Sequence, residues 1–111
     1  MLDLSEFKHF YYVPGYVNMS WGFYRLLEFV TDECHVIPHE GDVFIFMSRN
    51  RRRVRLIYYD KQAYYMNEKT FYNKDYRFMK VEFKDQKTVY SIEWKDLLTL
   101  LENPVISVLR L

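Results

Sequence analysis

Runs of apolar and alternating residues along this chain predict a set of short strands. Residues 9–13 are aromatic and β-prone, and the continuous apolar run at 43–47 predicts a strand that is buried on both faces. Residues 54–59 and 63–66 predict two further strands. Residues 76–83 alternate apolar and charged side chains, which is typical of a strand with one solvent-exposed face.

Two segments carry apolar residues at helical spacing. The first helix is predicted over residues 18–32, with Asn18 as its N-cap. The second is predicted to start from a cap at Ser91 and to run past Leu101. Pro104 ends it, because the residue before a proline is pushed out of the helical region.

These elements together predict an α+β fold: an antiparallel meander sheet of four to five strands, with two helices on one of its faces. The strands at 43–47 and 54–59 form a hairpin, and the apolar tail at 105–111 is expected to pack back as an edge strand. The chain has no repeat and no linker-like stretch. Residues 1–111 are therefore predicted to form a single domain.

Composition and charge limit the function classes. The chain contains eleven Tyr, nine Phe and two Trp, but its net charge is only +1, so any electrostatic function must come from local clustering. Cys34 is the only cysteine, which fits a reducing compartment. Residues 1–6 lack the pattern of a secretory signal, and no apolar run approaches the ~18 residues of a membrane span. We expect a cytoplasmic protein that does not contact a membrane.

The strongest local cluster is a group of arginines at the predicted hairpin tip: Arg49, Arg51, Arg52, Arg53 and Arg55. Guanidinium groups this close repel one another unless anions lie nearby, and each can pair two phosphate oxygens. Tyr58 and Tyr59 follow, and aromatic rings beside cations can stack on bases. The pattern favours a nucleic-acid-binding site whose cations stand clear of the body. An acidic protein partner and a simply solvated loop are the alternatives.

The sequence gives little indication of a metal site or a catalytic site. Cys34, His35 and His39 form the only metal-like group, and a structural zinc site needs four ligands, so we expect no metal and no cofactor. The aspartates that could hold Mg²⁺ are scattered over predicted turns and strand ends: Asp42, Asp60, Asp75, Asp85 and Asp96. No glycine-rich phosphate loop and no nucleophile–base pair is present, and we predict that the protein is not an enzyme.

Several motifs resemble one protein family over most of the chain: Phe10–Gly15, Asn18–Phe23, Gly41–Phe46, Arg53–Leu56, Tyr58–Asp60 and Ser91–Glu102. The family is the TnpB accessory protein, the second reading-frame product, of the bacterial insertion sequence 66 elements. The resemblance implies a non-catalytic accessory protein of transposition, encoded beside an acidic-triad transposase, with DNA as a partner. The alternative is a protein-interaction module that docks on the transposase without contacting DNA.

This sequence also departs from the family pattern. The family usually has Asp-Met-Arg-Lys-Gly where this chain has Asn18–Gly22, so an acid and two bases are missing. A Lys-Arg-Leu-Glu-x-Gly stretch is reduced at Lys69–Lys74. Apolar positions match better than charged positions, which indicates a retained fold in a divergent or degenerate copy of the mobile element's protein.

Overall fold

A computed structural model describes residues 9–102 and 108–111. In chain order its elements are β1 His9–Val13, α1 Phe23–Asp32, β2 Asp42–Met47, β3 Arg53–Tyr59, β4 Tyr64–Thr70, β5 Lys80–Glu82, β6 Tyr90–Ile92, α2 Trp94–Glu102 and β7 Val108–Arg110. The predicted helix end at Pro104, residues 105–107 of the predicted tail strand and the N-terminal residues 1–6 lie outside the described residues.

The main sheet has five strands in the order β4-β3-β2-β1-β6. The strands β2, β3 and β4 form an antiparallel meander, and β6 is antiparallel to β1. The α+β class and the strand number are therefore confirmed. One pair departs from the meander: β1 and β2 are parallel, with Phe10 beside Val43, because α1 carries the chain back between them.

The two helices pack on opposite faces of the sheet, so the prediction that they share a face is wrong. In β2, Val43, Ile45 and Met47 belong to a core cluster with Leu97, Leu100 and Leu101 of α2. Phe44 and Phe46 belong to a second cluster with Phe23, Leu26 and Val30 of α1. Every residue of β2 is buried, as predicted, and a strand that is apolar on both faces needs cover on both.

Both helices start later than predicted. The side chain of Asn18 accepts hydrogen bonds from the backbone N–H and the hydroxyl of Ser20, which makes a local turn, and α1 begins only after Gly22. The helix α2 begins after Glu93, whose N–H donates to Asp96 as in a capping box. Ser91 lies in β6, a strand that sequence reasoning missed. Among the described residues, no helix is long and apolar enough to cross a membrane.

The segment between β4 and β5 is the largest departure from the predicted strand at 76–83. Only Lys80–Glu82 are in a strand, and β5 pairs in parallel with β7 in a separate two-stranded sheet. The preceding segment instead crosses beside the β2–β3 hairpin tip, because Phe71 and Phe78 bury their rings in the core. This crossing brings a second loop to the end of the sheet that carries the arginines.

Candidate nucleic-acid interface

The β2–β3 hairpin forms as predicted, and its tip is a tight, internally bonded turn. The Ser48 hydroxyl accepts hydrogen bonds from the backbone N–H groups of Arg52 and Arg53 at 3.2 and 3.0 Å and donates to the Asn50 side chain. Arg51 has a φ of +59°, in the left-handed region. A side chain so close to the turn backbone fixes the local geometry. The tip is therefore a rigid support for the residues it carries.

Two of the five arginines form ion pairs with one carboxylate of the protein. The guanidinium of Arg55 donates to Glu68 on β4, with Nη2–Oε1 at 2.7 Å, and to the carbonyl of Trp21 at 2.8 Å. Arg53 donates to the same carboxylate, with Nη2–Oε2 at 2.9 Å. Arg55 is only 7% exposed. The expectation that all five stand clear of the body is wrong for these two, because a carboxylate on the neighbouring strand already supplies their anion.

Glu68 is correspondingly a charged acceptor. Burial acts to raise the pKa of Glu68, but hydrogen bonds from Arg53, Arg55 and Thr70 outweigh burial and hold that pKa below its usual value. At neutral pH the Glu68 carboxylate is therefore ionised, and it forms ion pairs with both guanidinium groups.

Arg52 joins the tip to the segment between β4 and β5. Its Nη2 donates to the carbonyls of Phe71 and Asn73, at 2.5 and 3.3 Å. Backbone hydrogen bonds run from Phe71 N to Arg52 O and from Phe78 N to Arg51 O, at 3.0 and 2.8 Å. The tip and this segment therefore form one surface. Because backbone carbonyls carry no net charge, these hydrogen bonds do not offset the positive charge of the Arg52 guanidinium.

The remaining arginines of the tip face solvent to different degrees. Arg49 is exposed, and its guanidinium carbon lies 4.8 Å from the centre of the Tyr16 ring, a cation–π contact. Arg51 is half-buried. Tyr16 reaches this position because β1 and β2 are parallel, so the loop after β1 emerges at the same end as the hairpin tip.

Tyr58 and Tyr59 do not present open rings for stacking on a base. Tyr58 is 2% exposed, stacks on Tyr65 and accepts a hydrogen bond from Asn67. The half-buried Tyr59 donates its hydroxyl to the Pro38 carbonyl. Burial raises the pKa of both phenols. Placement of these two tyrosines at an exposed binding face was therefore wrong: both lie far along β3, where the helices cover the sheet.

The structure brings in residues that sequence reasoning missed. The segment from Phe71 to Phe78 places Lys74 and Arg77 beside the tip, together with the exposed rings of Tyr72 and Tyr76. Arg77 donates through Nη1 to the carbonyls of Lys74 and Tyr76, which orders the loop. The alternation of aromatic and basic residues over 69–77 is the sequence signal that could have identified it.

We call the surface made by the hairpin tip, the Phe71–Phe78 segment and Tyr16 the basic end. Its cations are Arg49, Arg51, Arg52, Lys74 and Arg77. In the described part of the chain, none of these five forms an ion pair with a carboxylate, as is also true of Lys61, Lys69, Lys80 and Lys84. The cations that do form ion pairs are Arg25, Arg53, Arg55, Lys87, Lys95 and Arg110. The Phe71–Phe78 segment also carries the exposed carboxylate of Asp75, so the basic end sets five cations against one anion, on a protein whose net charge is +1.

The other candidate chemistry is dispersed or structural. Over residues 9–102 and 108–111, no group of three or more His, Cys, Asp or Glu side chains is placed to hold a metal ion. Cys34 is buried, and burial raises the pKa of its thiol. Asp42 accepts the backbone N–H of His39, and Asp60 accepts those of Gln62 and Ala63. These aspartates shape turns.

Comparison with known proteins identifies one family. The family profile described as IS66 Orf2-like protein, TnpB, matches residues 8–109 of the chain. No curated protein and no solved structure matches this chain.

Proposed function

This chain belongs to the IS66 Orf2-like family of transposition accessory proteins, and on that premise we propose that it binds DNA through its basic end. It would act beside a separate transposase and would not itself cut DNA. The observation that carries the proposal is the set of five cations on one end of the molecule that form no ion pair with any carboxylate of the described residues. Phosphates are the anions that such a row of cations fits best.

The proposal assigns different roles to the arginines of the tip. Arg49, Arg51 and Arg52, with Lys74 and Arg77, supply charge to phosphates. Arg53 and Arg55 support the tip through Glu68, so their charges are already compensated in part. Phosphate contacts of this kind position a protein on DNA and carry no base code, so we expect binding with little sequence preference.

The test is a titration of labelled duplex DNA at several salt concentrations. If about five phosphates are neutralised, log affinity should fall with log salt at a slope of about −4.5. The combined variant Arg49→Ala, Arg51→Ala, Lys74→Ala should flatten that slope by about 3. The matched control, Lys61→Ala, Lys87→Ala, Lys95→Ala, removes the same charge from exposed sites away from the basic end and should keep the slope near its original value. Equal losses in both variants would contradict the proposal.

A second candidate function is docking on the transposase without DNA contact. It is favoured by the outer edge of β4, which pairs with no other strand among the described residues and exposes Tyr64 and Met66 beside the exposed Tyr24 of α1. Exposed apolar side chains along an unpaired edge strand are typical of a protein-binding surface. Under this hypothesis Tyr64→Ala would weaken capture of the purified transposase, and the basic-end variant would leave that capture unchanged.

A further inference from the structure

From the aromatic side chains of the basic end we infer that its preferred ligand is single-stranded DNA, with Tyr72 stacking on an unpaired base. The inference rests on the proposed function and narrows it from DNA in general to strands whose bases are accessible. Tyr72 is 98% exposed, and Tyr16 and Tyr76 are 59% and 47% exposed. The Tyr16 ring contacts Arg49, and Tyr72 and Tyr76 lie in the Phe71–Phe78 segment that carries Lys74 and Arg77.

The exposure of Tyr72 differs from that of most aromatic residues here. Phe71, immediately before it, is buried against Phe78, with ring centres 4.5 Å apart. Tyr76 contacts the Phe71 ring edge-on, with centres 5.9 Å apart. The buried rings of Phe71 and Phe78 thus anchor the two ends of the segment, while Tyr72 projects into solvent. A large apolar ring left in water is unfavourable, and a stacking partner removes that cost.

The backbone around Tyr72 is ordered by bonds that do not involve its side chain. Asp75 N donates to the Asn73 side chain, and Tyr76 N donates to Asn73 O, at 2.9 and 3.2 Å. Arg52 binds the Phe71 and Asn73 carbonyls on either side. The ring is therefore carried by a preorganised loop, so little ordering is required when a base arrives.

An unpaired strand uses this surface more fully than a duplex. In a duplex the bases are stacked on one another, and cations at the phosphates gain nothing from neighbouring phenol rings. A single strand offers both a phosphate for Lys74 and a free base face for Tyr72, two residues earlier in the chain. Alternating cations and aromatic rings are how proteins bind single strands without reading their sequence. The Arg49 guanidinium over the Tyr16 ring provides a second such pair at 4.8 Å.

The experiment compares a labelled oligothymidine strand, an abasic strand of the same length and a duplex of that length. Wild-type protein should bind oligothymidine about tenfold more tightly than the abasic strand or the duplex. Tyr72→Ala should remove about tenfold of affinity for oligothymidine and leave the other two unchanged, whereas Tyr72→Trp should retain it. The matched control is Tyr24→Ala, which removes an exposed ring away from the basic end and should change nothing.

The outcomes separate the two proposals. Salt-sensitive binding of all three ligands with equal affinity, unaffected by Tyr72→Ala, would overturn the single-strand inference and leave DNA binding intact. An oligouridine strand of the same length is titrated as a fourth ligand, and its tighter binding than oligothymidine would reassign the ligand to RNA and overturn the inference. Absence of binding to every strand at low salt would overturn both proposals. Because Tyr72 is almost fully exposed, circular dichroism of the variants should match wild type.

Discussion

Glu68 on β4 lies directly opposite Arg55 on β3, and its carboxylate accepts two hydrogen bonds from that guanidinium, the shorter at 2.7 Å. The same carboxylate accepts hydrogen bonds from Arg53, so one negative charge is shared between two cations of the arginine cluster. Arg55 also reaches the Trp21 carbonyl, which ties the approach to α1 onto the sheet. This arrangement divides the cluster: Arg53 and Arg55 stabilise the fold through Glu68, Arg52 binds the backbone carbonyls of Phe71 and Asn73, and Arg49 and Arg51 form no ion pair among the described residues.

The first prediction concerns Glu68→Gln. The substitution leaves the nearly buried charge of Arg55 without its anion, and hydrogen bonds to charged groups contribute about 1.5–3 kcal/mol each. We expect the free energy of unfolding in urea to fall by roughly 2–3 kcal/mol. The control Glu28→Gln removes an exposed partner of Arg25 on α1 and should cost under about 1 kcal/mol. Equal effects of the two substitutions would argue against the role assigned to Glu68.

The second prediction is the pH dependence of stability. The pKa of Glu68 is lower in the folded protein than its usual value, so Glu68 contributes stability above its unfolded pKa of about 4.3. That contribution is lost as pH falls through the lower pKa of the folded state. Urea midpoints measured from neutral pH to below pH 4 should therefore decline less steeply for Glu68→Gln than for wild type. Parallel declines would show that other carboxylates dominate acid unfolding.

The third prediction concerns the end of α2. Lys69 on β4 donates from Nζ to the Leu101 carbonyl at 2.5 Å, and its ammonium lies 5.2 Å from the centre of the Phe71 ring. A cation at a helix C-terminus stabilises the carbonyls that have no partner there. Lys69→Met keeps the aliphatic packing but removes that donor, and should lower the free energy of unfolding by about 1 kcal/mol. Lys95→Met, at an exposed position of α2, should have little effect in the same urea titration.

The fourth prediction concerns Arg52. Because its guanidinium binds the Phe71 and Asn73 carbonyls, Arg52→Ala should loosen the Phe71–Phe78 segment from the hairpin tip. Hydrogen exchange at the Phe78 amide, which donates to the Arg51 carbonyl, should become at least several-fold faster. The amide of Ile45, in the centre of β2, should keep its protection relative to global stability. Unchanged exchange at Phe78 would mean that the backbone bonds alone hold the segment.

Part of the interface was predictable and part was not. Five arginines in seven residues and the hairpin that displays them follow from local sequence, because turn residues between two apolar runs are a short-range signal. The partner of Arg53 and Arg55 is more than ten positions away and is identified only by the β3–β4 register. Lys74 and Tyr72 likewise could not be assigned to the interface from local sequence, because their segment lies beside the tip through hydrogen bonds of Arg51 and Arg52.

The sequence by itself determined the fold class, the β2–β3 hairpin and the fully buried strand β2, since periodicity and turn chemistry act over a few residues. Only the tertiary structure decided that β1 and β2 run parallel and that α1 and α2 cover opposite faces. The tertiary structure also decided which arginines of the cluster form an ion pair, namely Arg53 and Arg55 with Glu68. The physical reason is that pairing and burial depend on groups distant in the chain, whose meeting is settled by how the whole core packs.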